Sequence, residues 1–156
     1  MNFDETPWMT YMLKHLGAWE MDPKFSKYIS QYWPLVGAKY KNIAGRAHAW
    51  CALMINIALH LTGYKGNHRA DARSFSDANG YGTHCTPKFG AILCLRHAGG
   101  GHHVTFFCRW VNKEKTLVEC IGGNQVDHLR KTVYNVSGNK HGHDEIVGCR
   151  WPVKAA

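Results

Sequence analysis

Ala49-Trp50-Cys51-Ala52-Leu53-Met54-Ile55-Asn56-Ile57-Ala58-Leu59-His60-Leu61-Thr62-Gly63 is apolar on nearly every side apart from Asn56, His60 and Thr62, the pattern of a helix buried inside a small core. Gly63 supplies a left-handed stop. Cys51 falls in the first turn, where unpaired backbone N–H groups and the positive end of the helix dipole favour a thiolate over a thiol. The plain alternative is core packing, the usual role of a cysteine in an apolar helix. Deciding between them requires a base, which must come from elsewhere in the chain.

Upstream, Thr6-Pro7 is a helix start followed by Trp8, Met9, Met12, Leu13 and Leu16 at helical spacing until Gly17. Asp22-Pro23 repeats the signal, with Phe25, Tyr28, Ile29 and Tyr32 on one face before Pro34 ends the helix. The stretch 35–49 is irregular, carries Lys39, Lys41 and Arg46, and delivers the backbone to Cys51; a loop feeding a buried helix start is where a cleft can form. Downstream, Tyr64 to Asn67 reads as a turn and Ala70 to Ala78 as a short helix closed by Asn79-Gly80.

From Pro87 the pattern becomes strand-like. Ala91 to Leu95 and His103 to Val111 form two strands around Ala98-Gly99-Gly100-Gly101, and Thr116 to Ile121 forms a third that runs into Gly122-Gly123-Asn124-Gln125. Leu129 to Val136 and Glu145 to Trp151 add two more, separated by a polar loop from Ser137 to Asp144. Helices first and strands afterwards predict an α+β fold with an antiparallel sheet. Without an internal repeat or linker, residues 1–156 read as a single domain.

The composition, 45% hydrophobic and 12% aromatic, excludes a disordered chain, and no apolar run is long enough to cross a bilayer. The acidic start Met1 to Pro7 lacks the features of a secretory signal. Cysteines 51, 85, 94, 108, 120 and 149 sit mostly in apolar runs and read as mostly reduced core residues rather than a disulfide framework. A formal net charge of +8 suits an acidic partner, but the positive residues are spread in ones and twos and no zinc-finger or RRM spacing occurs, so no nucleic-acid partner is expected. His141 and His143 read as solvated loop residues, and the chain has no paired Cys-x-x-Cys units, His-Glu-x-x-His, EF-hand or phosphate-loop pattern; no metal and no cofactor are expected.

A cysteine at a helix start with a later histidine at the start of a strand permits thiol activation: the imidazole takes the thiol proton and returns it to the leaving amine. A third polar group must orient the ring, and Asn124, at the end of the neighbouring strand, is placed to do so.

Pro7-Trp8-Met9, Trp50-Cys51-Ala52, Ala72-Arg73-Ser74-Phe75, Pro87 through Gly90, His103-Val104, Gly122-Gly123-Asn124-Gln125 and Gly148-Cys149-Arg150-Trp151-Pro152 occur in an order that covers almost the whole chain. In this ordered set the sequence resembles the papain-like cell-wall hydrolases of the CHAP and NlpC type, especially a small phage-associated subgroup. The resemblance implies a papain-like α+β fold, with N-terminal helices, a buried helix carrying the cysteine and an antiparallel sheet carrying the histidine. It implies cleavage of an amide bond in the stem peptide of peptidoglycan, with Cys51 as nucleophile, His103 as base and Asn124 as orienting residue. Such a protein would be a phage lysin or a secreted antibacterial effector, made in the cytoplasm and acting in the periplasm or at the cell wall after holin- or secretion-system-mediated release. An immunity or inhibitor protein would be a natural second partner. The competing class is an inactive basic module that binds wall polymer or nucleic acid.

The sequence departs from the family pattern in three places. His102 stands where a glycine usually precedes the histidine, Ala91 follows Gly90 where an acidic residue is common, and Arg46-Ala47-His48-Ala49 is basic where an acidic residue is common before the Trp-Cys pair. If Val104, Phe106 and Cys108 face the helix, strand alternation turns His102 inward and His103 outward, whereas the family motif puts the histidine directly before valine. His102 therefore remains the alternate base. Glu119 is the alternate third residue, since a carboxylate stabilises an imidazolium more strongly than an amide.

Overall fold

The computed structural model describes residues 3–38 and 50–156. The expectation of an irregular, basic cleft entrance over residues 39–49 lies outside them. Helix α1 spans Pro7–Lys14 and α2 spans Pro23–Ser30, each opened by its proline. Asp22 caps α2 by accepting from the Lys24 N–H at 3.0 Å. Helix α2 ends ahead of Pro34, as expected, and a separate 3-10 turn follows over Trp33–Val36, where proline at an early position forfeits no hydrogen bond.

Helix α3, Cys51–Leu61, is buried from Cys51 through Leu59. Gly63 follows at φ +87°, as its sequence position requires. The one polar residue within that buried stretch, Asn56, donates to Ala52 O at 2.9 Å and accepts from the His68 N–H at 3.1 Å, tying the loop after α3 to the helix.

The strands are β1 Tyr64–Lys65, β2 Thr83–His84, β3 Ile92–Arg96, β4 His102–Trp110, β5 Leu117–Gln125, β6 His128–Asn135, β7 Glu145–Trp151 and β8 Val153–Lys154. They form an antiparallel six-stranded sheet in the order β2-β7-β3-β4-β5-β6 and a two-stranded pair β1-β8. The fold is α+β. Ile92, Cys94, Val104, Phe106 and Ile121 pack on the side of α3, while Leu93, Leu95, Phe107, Val118 and Cys120 form a second apolar cluster. Apolar packing on both sides explains why several strands read as continuous apolar runs instead of alternating ones.

Three local expectations are corrected. Tyr64–Lys65 is strand rather than turn, because it pairs with Val153–Lys154 near the end of the chain. The helix expected over Ala70 to Ala78 is two 3-10 turns, Ala72–Phe75 and Asp77–Asn79. Its polar side chains compete for the backbone: Ser74 Oγ donates to Asp71 O at 2.5 Å and Asn79 Nδ2 to Arg73 O at 3.0 Å. The third strand does not stop at Ile121 but runs to Gln125 through a register shift, and a two-residue turn, Val126 and Asp127 at φ +52° and +60°, leads into β6.

The cysteines are all free thiols, with Cys85 Sγ 3.6 Å from Cys149 Sγ between β2 and β7. Among the described residues no helix is long and apolar enough to cross a membrane, and no group of three or more His, Cys, Asp or Glu could hold a metal ion.

Candidate active site

Trp50 fixes where α3 begins. Its indole N–H donates to Glu20 Oε2 at 3.0 Å with both residues buried, and its ring meets Phe25 edge-on at 5.5 Å. Gly123 lies against the same indole: a Cβ there would come within 2.6 Å of the Trp50 ring and 2.8 Å of Met54. The glycine lets β5 approach the start of α3, which sets the position of Cys51.

Cys51 is 4% exposed. Burial pushes its thiol up from the ordinary cysteine range, opposed by the N–H groups of Val104, Ala52 and Cys51 itself, which favour the thiolate. The helix-start donors are present, but desolvation outweighs them, so the thiol lies above its ordinary range rather than below it. The Val104 contribution locates the sulfur. In β4, Phe107 exchanges backbone hydrogen bonds with the β3 side, through Ala91 O and the Gly90 N–H, so by alternation the Val104 N–H turns toward β5. The β4-β5 ladder reaches only as far as Phe106–Ile121, which leaves a gap beside Val104. Cys51 addresses that gap, against the peptide joining His103 to Val104.

His103 is 6% exposed, and its Nε2 lies 3.0 Å from Gln125 Oε1. The amide of Gln125 is oriented by its own donors, which reach Arg130 O at 2.6 Å and Cys120 O at 3.4 Å. Its oxygen therefore accepts, from the Thr105 hydroxyl at 2.8 Å and from His103 Nε2–H. That network assigns the proton to Nε2 and leaves Nδ1, the nitrogen nearer the backbone, with the basic lone pair. Burial lowers the His103 pKa, opposed by the hydrogen bond to Gln125 and by the negative charge of Asp144. Burial thus moves both groups toward their neutral forms, the thiol up and the imidazole down.

Around His103 stand Tyr134, with ring centroids 5.7 Å apart, and His97, stacked at 6.2 Å. His97 Nδ1 is 3.1 Å from Asp144 Oδ2, while Asp144 Oδ1 accepts from the Ala98 N–H at 3.2 Å.

The structure thus joins His103 to Gln125 and sets the Cys51 thiol by the N–H of Val104, the residue after His103. Asn124 does not hold the ring: at φ +57° it occupies the left-handed region, and the shifted backbone presents the next residue to His103. Gly122 makes room for this arrangement, since a Cβ there would fall 2.6 Å from Thr105 Oγ1 and 2.8 Å from Gln125 Oε1. His102 pairs with Arg96 across β3-β4 and lines a separate cavity with Arg73 and Arg96. Glu119 is engaged by Arg109 at 3.3 and 3.4 Å, several residues along β5 from Gln125. The sequence reading passed over Gln125, Thr105, Glu20 and the His97–Asp144 pair. Only Gln125 had a sequence signal, as the last residue of Gly122-Gly123-Asn124-Gln125. Comparison with family models, with curated proteins and with solved structures returns no match.

Proposed function

We propose that the protein is a papain-like cysteine hydrolase that cleaves an amide bond in the peptide part of peptidoglycan, as a phage lysin or a secreted antibacterial effector. Cys51 is the nucleophile, His103 the base and Gln125 the residue that orients the ring. The observation that carries this reading is the position of the Cys51 thiol beside the His103–Val104 peptide, with the distal nitrogen of His103 fixed by Gln125.

The chemistry follows from the protonation states. His103 Nδ1 takes the proton of Cys51 as sulfur attacks the amide carbonyl, and the backbone N–H of Cys51 serves the oxyanion. The imidazolium gives that proton to the departing amine, leaving a thioester. Water, deprotonated by the same nitrogen, hydrolyses the thioester and restores the thiol. Because burial disfavours the charged form of both groups, the ion pair forms along the reaction coordinate, where substrate supplies the compensating dipoles.

The test is incubation of the protein, and of Cys51→Ala, with purified sacculi, followed by mass spectrometry of the soluble fraction. New peptide amines from the wild type alone support the reading. Sacculi that bind protein but release nothing would point instead to a basic binding module.

A further inference from the structure

The motif Ala72-Arg73-Ser74-Phe75 and the residue His102 are left over by the mechanism, and they meet. Arg73, Ser76, Ala78, Arg96, His102 and Val147 line a cavity of about 380 Å³. By strand alternation His102 shares a face of β4 with Val104, the residue whose N–H addresses Cys51, so it stands roughly 7 Å further along the strand. Cys94, which pairs with Val104, donates its thiol to Ala72 O at 3.4 Å and ties the turn carrying Arg73 to this end of the sheet.

The cavity has an excess of positive groups. Of the carboxylates nearby, Glu145 pairs with Arg96, Asp144 with His97, Asp71 with Arg69, and Asp77 with Arg150 and His84. The Arg73 guanidinium and the His102 ring make no hydrogen bond or ion pair with a described residue. Ser76 Oγ accepts from Asn79 Nδ2 at 2.9 Å, which leaves its hydroxyl proton free to donate. Ala78 and Val147 provide an apolar wall. Burial and the charges of Arg73, Arg96 and His97 all hold the His102 imidazole below its ordinary pKa, a balance that a bound anion would reverse.

We infer that this cavity is a carboxylate subsite, in which Arg73, with His102 and Ser76, holds an acidic side chain of the substrate peptide beside the bond that Cys51 attacks. Its place next to Cys51 rests on the proposed hydrolase reading; the anion site itself does not. A guanidinium fork matches a carboxylate, the hydroxyl adds a third donor, and the apolar wall accepts a short methylene stem. His102 thus has a recognition role and is not a second base.

Two measurements test this. In the first, KM and kcat are determined on stem peptides whose glutamyl carboxylate is free or amidated, for the wild type, Arg73→Gln and Arg73→Lys. The free acid should have a KM lower by about 10- to 100-fold in the wild type, the size of a charge-assisted hydrogen-bond loss. Arg73→Gln should erase that preference with kcat retained, and Arg73→Lys should keep part of it. Equal KM for both peptides in an active wild type, or a preference that survives Arg73→Gln, overturns the subsite and leaves the hydrolase standing. The second measurement follows the His102 ring resonances by NMR during titration with N-acetylglutamate or with inorganic phosphate, and does not depend on hydrolysis. A saturable shift with N-acetylglutamate that disappears in folded Arg73→Gln supports the subsite even if no peptide is cut. A response to phosphate alone, or to neither, overturns it.

Discussion

His103 Nε2 and Gln125 Oε1 are 3.0 Å apart in a pocket where the same oxygen also accepts from Thr105 and the amide nitrogen is held by two backbone carbonyls. Gln125 is 2% exposed, so water does not compete for its oxygen. A ring held in this way has one tautomer and one direction, and that makes the roles of neighbouring residues separable by substitution.

Gln125→Ala should lower kcat by at least about tenfold, as a fraction of the roughly 10²- to 10⁴-fold that loss of the base in His103→Ala costs. Asn124→Ala and Glu119→Gln should stay within a few-fold of wild type, because neither touches the ring. Cys51→Ala should fold and be inactive. Steady-state release of peptide amines, with circular dichroism as the folding control, checks all five; an inactive, folded Asn124→Ala beside an active Gln125→Ala would return the third role to Asn124.

The pH profile should be broad. Activity needs His103 neutral and Cys51 protonated at rest, so the acid limb of kcat/KM should fall below the ordinary histidine value of about 6.5 and the alkaline limb above the ordinary cysteine range. Asp144 raises the His103 pKa, so Asp144→Asn removes a charge that favours the imidazolium and should move the acid limb to still lower pH. A limb that shifts upward in Asp144→Asn would contradict the assignment of His103 as the titrating base.

The anchor beneath Cys51 should be visible in stability. Glu20→Ala strands the buried Trp50 N–H and should cost about 1–3 kcal/mol, and Gly123→Ala forces the indole and Met54 apart at a similar cost. Urea midpoints measure both. The Gly123 variant should also lose activity beyond its loss of stability, since it displaces the start of α3.

Attachment to an anionic wall should depend on ionic strength. With a formal charge of +8, binding of Cys51→Ala to purified sacculi should weaken steadily as salt rises from 50 to 500 mM, roughly as the Debye length shrinks. Co-sedimentation measures it, and salt-independent binding would remove charge from the account.

Much of the fold was legible because its signals are local. The run from Trp50 to Leu61, apolar apart from Asn56 and His60, reads as a buried helix at that length, Gly63 stops it at positive φ, and the prolines at 7 and 23 open helices whether or not anything packs on them. Alternation along β4 correctly set Val104 and Phe106 on the side of α3. What the chain alone could not decide depends on contacts between distant segments. Desolvation of Cys51 is a property of its packing, and it raises the thiol's pKa against the lowering that the helix start supplies. The left-handed residue at Asn124 and the shifted register of β5 exist because Gly123 meets Trp50 and Gly122 meets Thr105, so only in the folded chain does Gln125 reach His103. Likewise His102, next in sequence to the base, is carried away from it by the pleat of its strand and delivered to Arg73, because adjacent strand residues point to opposite faces.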